Sequence, residues 1–151
     1  MKTIVRKSDN VSLYIYPDNK AITLESNRAV IGTTDNPELY IADLNSSNAE
    51  VHTGVDDKSD YWGHKYKHDG TNWSDNSSFI GQNRLSTNVD SSINQIPVGN
   101  SNPFTTSGTV KIDDEKITYT GVDGTNLTGC TRGAASTDAA SHTSGDSVTQ
   151  I

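Results

Sequence analysis

Phe104 to Ile151 limits the folds open to this chain more than any other stretch. Two short alternations of apolar and polar residues, Thr109-Val110-Lys111-Ile112 and Lys116-Ile117-Thr118-Tyr119-Thr120, meet across the acidic Asp113-Asp114-Glu115. Successive side chains of a strand point to opposite faces. Val110 with Ile112, and Ile117 with Tyr119, therefore mark the buried face of a β-hairpin. Gly121 and Asp123-Gly124 turn the chain again before Leu127-Thr128-Gly129-Cys130. Ala134 to Ser141 has the composition for one helical turn, and Gly145-Asp146 leads into a last strand, Ser147 to Gln150. These signals predict a C-terminal β-hairpin-rich module over residues 103–151 of an all-β chain.

The N-terminal part is β-patterned as well. Lys2 to Arg6 is a candidate strand, and in Val11 to Tyr16 the residues Val11, Leu13 and Ile15 share one face. Pro17-Asp18-Asn19 is a turn by its chemistry. Ala21 to Glu25, Arg28 to Gly32 and Glu50 to Thr53 follow as further short strands, and Pro37 to Asp43 reads as a strand in preference to one helical turn. Their spacing suggests an antiparallel meander. Tyr61 to Trp73, YWGHKYKHDGTNW, carries the hairpin signal Asp69-Gly70 with Trp62 and Tyr66 before it and Trp73 after it. Residues 1–73 are thus expected to form a small N-terminal antiparallel sheet domain.

Between the two, residues 74–102 are rich in Ser, Asn, Asp and Gly, and neither β nor helical periodicity is sustained. This stretch reads as an extended linker or arm. A purely flexible linker has no use for Ile80, Leu85, Val89, Ile93, Ile96 and Val98, so these six are expected to dock it on a neighbouring surface.

Composition bears on partners. Only 31% of the residues are hydrophobic, so two domains of this size would be marginal alone and would gain from an assembly, homo-oligomeric or multi-copy. The formal net charge of −7 argues against nucleic-acid binding, which draws most of its affinity from basic patches. Cys130 is the only cysteine, so no disulfide forms within the chain. No apolar run approaches a membrane span, and MKTIVRKSDN lacks the apolar core of a secretory signal. The expectation is a chain folded in a cytoplasm, without membrane contact.

No catalytic, cofactor or metal site is expected. His64 and His68 have the spacing of helical zinc ligands, but their segment reads as strand and turn, where four residues span about 13 Å. Asp56, Asp57 and Asp60 lack the Gly and Glu of a calcium-binding loop. Asp113, Asp114 and Glu115 are adjacent, and adjacent carboxylates rarely converge. Arg132 can pair with one of these three or contact another subunit, and His142 can hydrogen-bond a loop carbonyl. Cys130 is expected to be buried and inert, and no phosphate-binding glycine loop occurs. Tyr61, Trp62, Tyr66 and Trp73 are open to two readings: the core of a small sheet, or a platform contacting a partner or a glycan.

The C-terminal residues resemble a module of bacteriophage virion proteins, especially tail and baseplate-associated ones. The resemblance lies in Gly108-Thr109-Val110, Asp113-Asp114-Glu115, Tyr119-Thr120-Gly121, Leu127-Thr128-Gly129, Thr131-Arg132-Gly133, Ala139-Ala140-Ser141-His142, and Gly145 with Val148. Ala135-Ser136-Thr137 departs from the pattern at one turn. The N-terminal part is similar to small proteins of marine phages, cyanophages included, in Met1 to Arg6, Asp43 to Asn48, His52-Thr53-Gly54-Val55, and Lys65-Tyr66 with Asp69-Gly70 and Trp73. The resemblance implies a non-enzymatic structural subunit of a virion, assembled in a host bacterial cytoplasm with other virion proteins. It would sit in the tail, baseplate or fibre-attachment region. The alternatives are a capsid decoration (cement) protein and a glycan-binding receptor module.

Overall fold

The computed structural model describes all 151 residues, and its regular structure is entirely β. The chain divides into two compact units, Met1–Phe79 and Ile80–Ile151.

The first unit contains β1 (Lys2–Arg6), β2 (Ser12–Tyr16), β3 (Ile22–Leu24), β4 (Ala29–Gly32), β5 (Pro37–Ile41), β6 (Ala49–Thr53), β7 (Tyr66–His68) and β8 (Trp73–Asp75). They form three antiparallel groups: β2-β1-β6, β3-β4-β5 and the hairpin β7-β8. The expected single meander is therefore replaced by two small sheets, because β1 takes β6 as its second neighbour. Ile4, Val11, Leu13, Ala29, Ile31, Ile41, Leu44 and Ala49 make up the core. Central strand β4 is buried along its whole length, which explains its unbroken apolar reading, Ala29-Val30-Ile31. A buried polar pair accompanies this core: Thr3 Oγ1 lies 2.6 Å from Ser12 Oγ and donates to the Tyr14 carbonyl at 2.9 Å.

The second unit contains β9 (Gln82–Arg84), β10 (Ile96–Pro97), β11 (Gly108–Ile112), β12 (Glu115–Tyr119), β13 (Gly121–Val122), β14 (Asn126–Thr128) and β15 (Ser147–Gln150). The expected hairpin is β11-β12, joined by the two-residue turn Asp113-Asp114. Asp113 takes φ +50°, the sign that tight hairpin turns favour at their first position. Sheet order is β12-β11-β15-β9, with a second sheet β10-β14-β13. The helical turn expected within Ala134 to Ser141 does not form; the segment is irregular apart from a turn at Ala135-Ser136.

The expectation for residues 74–102 is corrected. Ser74 and Asp75 belong to β8, and Ile80 onward belongs to the second unit. Leu85, Val89, Ile96 and Val98 are buried in that unit's own core with Phe104, Val110, Ile112, Ile117, Tyr119, Leu127 and Val148, and Ile93 packs against it. Only Ile80 stays exposed, at 64%. These aliphatics are therefore structural, and the docking-arm reading fails for all but Ile80. A core as small as the β11-β12 hairpin can bury needs more apolar cover, and this segment supplies it. Each such side chain contributes about 1.5–3 kcal/mol on burial. The backbone is anchored too: Val89 and His142 exchange two hydrogen bonds, and Asn83 Nδ2 donates to the carbonyls of Val98 and Asn100.

Candidate functional site

Glu115 opens β12, and its side chain is 1% exposed. Removing a carboxylate from water is unfavourable unless donors replace the water. Here five do. Arg132 Nε and one terminal nitrogen each donate to one carboxylate oxygen at 2.8 Å. The N–H groups of Gly133 and Ala140 donate at 2.9 and 3.1 Å, and His142 Nε2 lies 2.8 Å away. Burial alone would raise the Glu115 pKa, but the hydrogen bonds from Arg132, His142 and the two backbone groups outweigh it and bring it down to about 2. Arg132 also donates to the carbonyls of Asp90 and Ala140, both at 2.6 Å, and of Ile93 at 3.4 Å. One buried ion pair thus holds the β11-β12 turn, the 90–93 loop and the 131–140 segment together. Of the three acidic partners open to Arg132 in the sequence, the fold selects Glu115.

His142 stands beside this clamp. Its main chain is bridged to Val89, and its ring is 2% exposed. Nδ1 lies 2.9 Å from Asp113 Oδ2. The ring therefore meets carboxylates, not the loop carbonyl expected for it. With both ring nitrogens engaged, none faces a hydroxyl nucleophile as triad chemistry requires. Asp113, Glu115 and His142, together with Asp114, Thr137 and Asp138, border an open depression of about 420 Å³. Asp146 is adjacent and accepts the Thr143 N–H at 2.7 Å. Cys130 is buried, which pushes its thiol up to about 11, and Tyr119 lies in the core with its hydroxyl 3.1 Å from Thr105 Oγ1.

The aromatic segment of the first unit is a second cluster. Trp73 packs against Tyr61, Tyr66 and His68 with ring centroids 6.1, 6.2 and 4.8 Å apart and planes tilted by 58°, 70° and 72°. Tyr66 is buried and donates its hydroxyl to Asp60, which also pairs with Lys65 and Lys58. Burial pushes the Tyr61 hydroxyl up to about 12. Trp62 is exposed and stands outside these ring contacts. Tilted and edge-to-face contacts of this kind are favourable packing for aromatic rings. The structure brings three of the four aromatics together and leaves Trp62 apart.

His64 and His68 do not form a pair. His64 is exposed with φ +70°, whereas His68 is buried. His68 meets His52 instead, Nδ1 to Nδ1 at 2.9 Å, and its Nδ1 also accepts the Gly70 N–H at 3.1 Å. The sequence signal was available in part: Tyr66 and His68 are two apart on β7 and share its inward face. Nothing local links His68 to His52 on β6.

Compared with known families, curated proteins and solved structures, the chain matches none.

Proposed function

We propose that the chain is a non-enzymatic structural subunit of a bacteriophage virion, in the tail, baseplate or fibre-attachment region. The resemblance of the C-terminal residues motivates the source. The observation that carries an assembly role is one open sheet edge. Strand β5 ends its sheet beyond β4 and presents Leu39 at 51% and Tyr40 at 47% exposure. Backbone groups on such an edge pair with a strand from another subunit, and exposed side chains add apolar contact. This mode needs few aliphatics, which suits a chain that uses those of residues 85–98 in its own core. The saturated Glu115–Arg132–His142 cluster supports a scaffold role over catalysis.

Mass spectrometry of purified particles, with location in a particle map, tests the reading. The chain is expected in the particle at the tail, and Leu39→Lys is expected to reduce its incorporation. Absence from particles would overturn the proposal, as would hydrolysis of a polysaccharide by the purified chain. Density on the capsid would favour a cement protein. A glycan-binding reading draws on exposed Trp62; binding lost in Trp62→Ala and Trp73→Ala would favour it.

A further inference from the structure

The geometry points to a divalent transition-metal site, of the Zn²⁺ or Mn²⁺ class, formed by Asp113, His142 Nδ1 and Asp146. One ligand atom from each of the three lies within 4.8 Å of the other two. Neighbouring ligands on a tetrahedral zinc are separated by roughly 3.3 Å, given metal–ligand distances of about 2.0–2.1 Å. The 2.9 Å contact between His142 Nδ1 and Asp113 Oδ2 is already close to that separation.

The setting of His142 suits a metal ligand. Its Nε2 lies 2.8 Å from Glu115, a buried carboxylate paired with Arg132. Nδ1 points the other way, 2.9 Å from Asp113 Oδ2, on the side where Asp146 also stands. This is the arrangement in which a carboxylate behind a histidine fixes its tautomer and strengthens it as a metal ligand. The ring is also held in place by the main-chain bridge between His142 and Val89. Asp146 is oriented by the Thr143 N–H on Oδ2. Asp113 is 64% exposed, which leaves the ion open to solvent for water ligands.

One imidazole nitrogen with two carboxylates suits zinc and manganese, whereas calcium prefers oxygen ligands throughout. The sequence hides the set, because Asp113 lies far along the chain from His142 and Asp146. Bound there, an ion would join the β11-β12 turn to the loop preceding β15.

The test uses the full chain after treatment with a chelator. Titration calorimetry with Zn²⁺, and separately with Mn²⁺, is expected to show saturable binding of one ion per chain. Addition of Zn²⁺ is expected to shift the His142 Nδ1 resonance in ¹⁵N NMR. Asp113→Asn and Asp146→Asn should each weaken binding by about 10-fold or more, in the range seen when a site loses a supporting group. Asn tolerates positive φ at position 113 and still accepts a hydrogen bond at position 146, so both variants should fold. Their unfolding transitions in chelator check this. His52→Gln is the control for ion capture by the other histidine cluster, and should leave the affinity unchanged. Lack of saturable binding overturns the proposal. So does binding that survives both Asn substitutions, or that leaves the His142 resonance in place.

Discussion

Glu115 and Arg132 are worth more as a pair than as individuals. Truncating Glu115 to Ala strands the Arg132 guanidinium and the N–H groups of Gly133 and Ala140 in a dry setting. Breaking a buried pair in this way costs about 3–5 kcal/mol. Replacing both partners with apolar residues of similar size removes the charge without stranding its counterpart. We therefore expect Glu115→Ala to lower the urea midpoint sharply, and Glu115→Leu with Arg132→Met to recover only part of the loss, because the N–H groups of Gly133 and Ala140 still lack an acceptor. His68 makes a pH prediction. Its pKa is lowered from 6.5, first by burial and then by neighbouring His52, with Asp69 and Asp56 opposing. Just below pH 6.5 the unfolded chain thus binds more protons than the folded one, so stability falls as the pH drops through that value and is complete above it. Urea titrations between pH 7.5 and pH 5.5 should show the first unit weakening, with the slope flattened in His68→Gln. Of these residues, the sequence pointed to Arg132 and to its three acidic neighbours. It could not choose among them, because the choice depends on which side chain the turn directs inward.

At the scale of elements, legibility followed the local apolar pattern, which the longer strands display most fully. β1, β2, β4, β6, β11, β12 and β15 each span four or five residues, enough for alternation or a continuous apolar run to stand out. β9 and β10 have three and two residues, too few for any period, and they lie within the segment read as a linker. Aliphatics in irregular backbone give no repeating pattern, yet burial does not require one. The turns were clearer. Gly32 ends β4 with φ +94°, and a Cβ there would stand 2.9 Å from both the Asn36 carbonyl and the Glu38 N–H nitrogen. Neither backbone atom can move without disturbing the β4-β5 register. Gly32→Ala is expected to destabilise the first unit by more than about 1 kcal/mol, read from its denaturation midpoint. Gly54 has a similarly positive φ but open space around it, so Gly54→Ala should be milder.

For the whole molecule, the boundary at Phe79/Ile80 replaces the three-part layout that composition suggested. Each unit has its own core, so a low apolar content has been divided between two small interiors. A fragment of residues 80–151 is expected to unfold cooperatively and to give a dispersed NMR spectrum. A fragment of residues 103–151, the module as the sequence delimits it, lacks Leu85, Val89, Ile96, Val98 and strand β9. It should be largely unfolded, although it contains every residue that carries the resemblance to the virion module. The apolar cover that completes this module therefore lies upstream of its recognisable motif. That cover was hard to see because sequence patterns report repetition, whereas this cover works by filling space.

The clamp around Arg132 also has a bearing on time. It joins residues as far apart as Asp90 and Arg132, and a contact of such long loop closure is expected to form late in folding. Contacts that close late are absent from the folding transition state, and their strength then appears almost wholly as slower unfolding. The clamp is thus expected to act as a brake on opening: Glu115→Ala should speed unfolding of the second unit more than it slows folding.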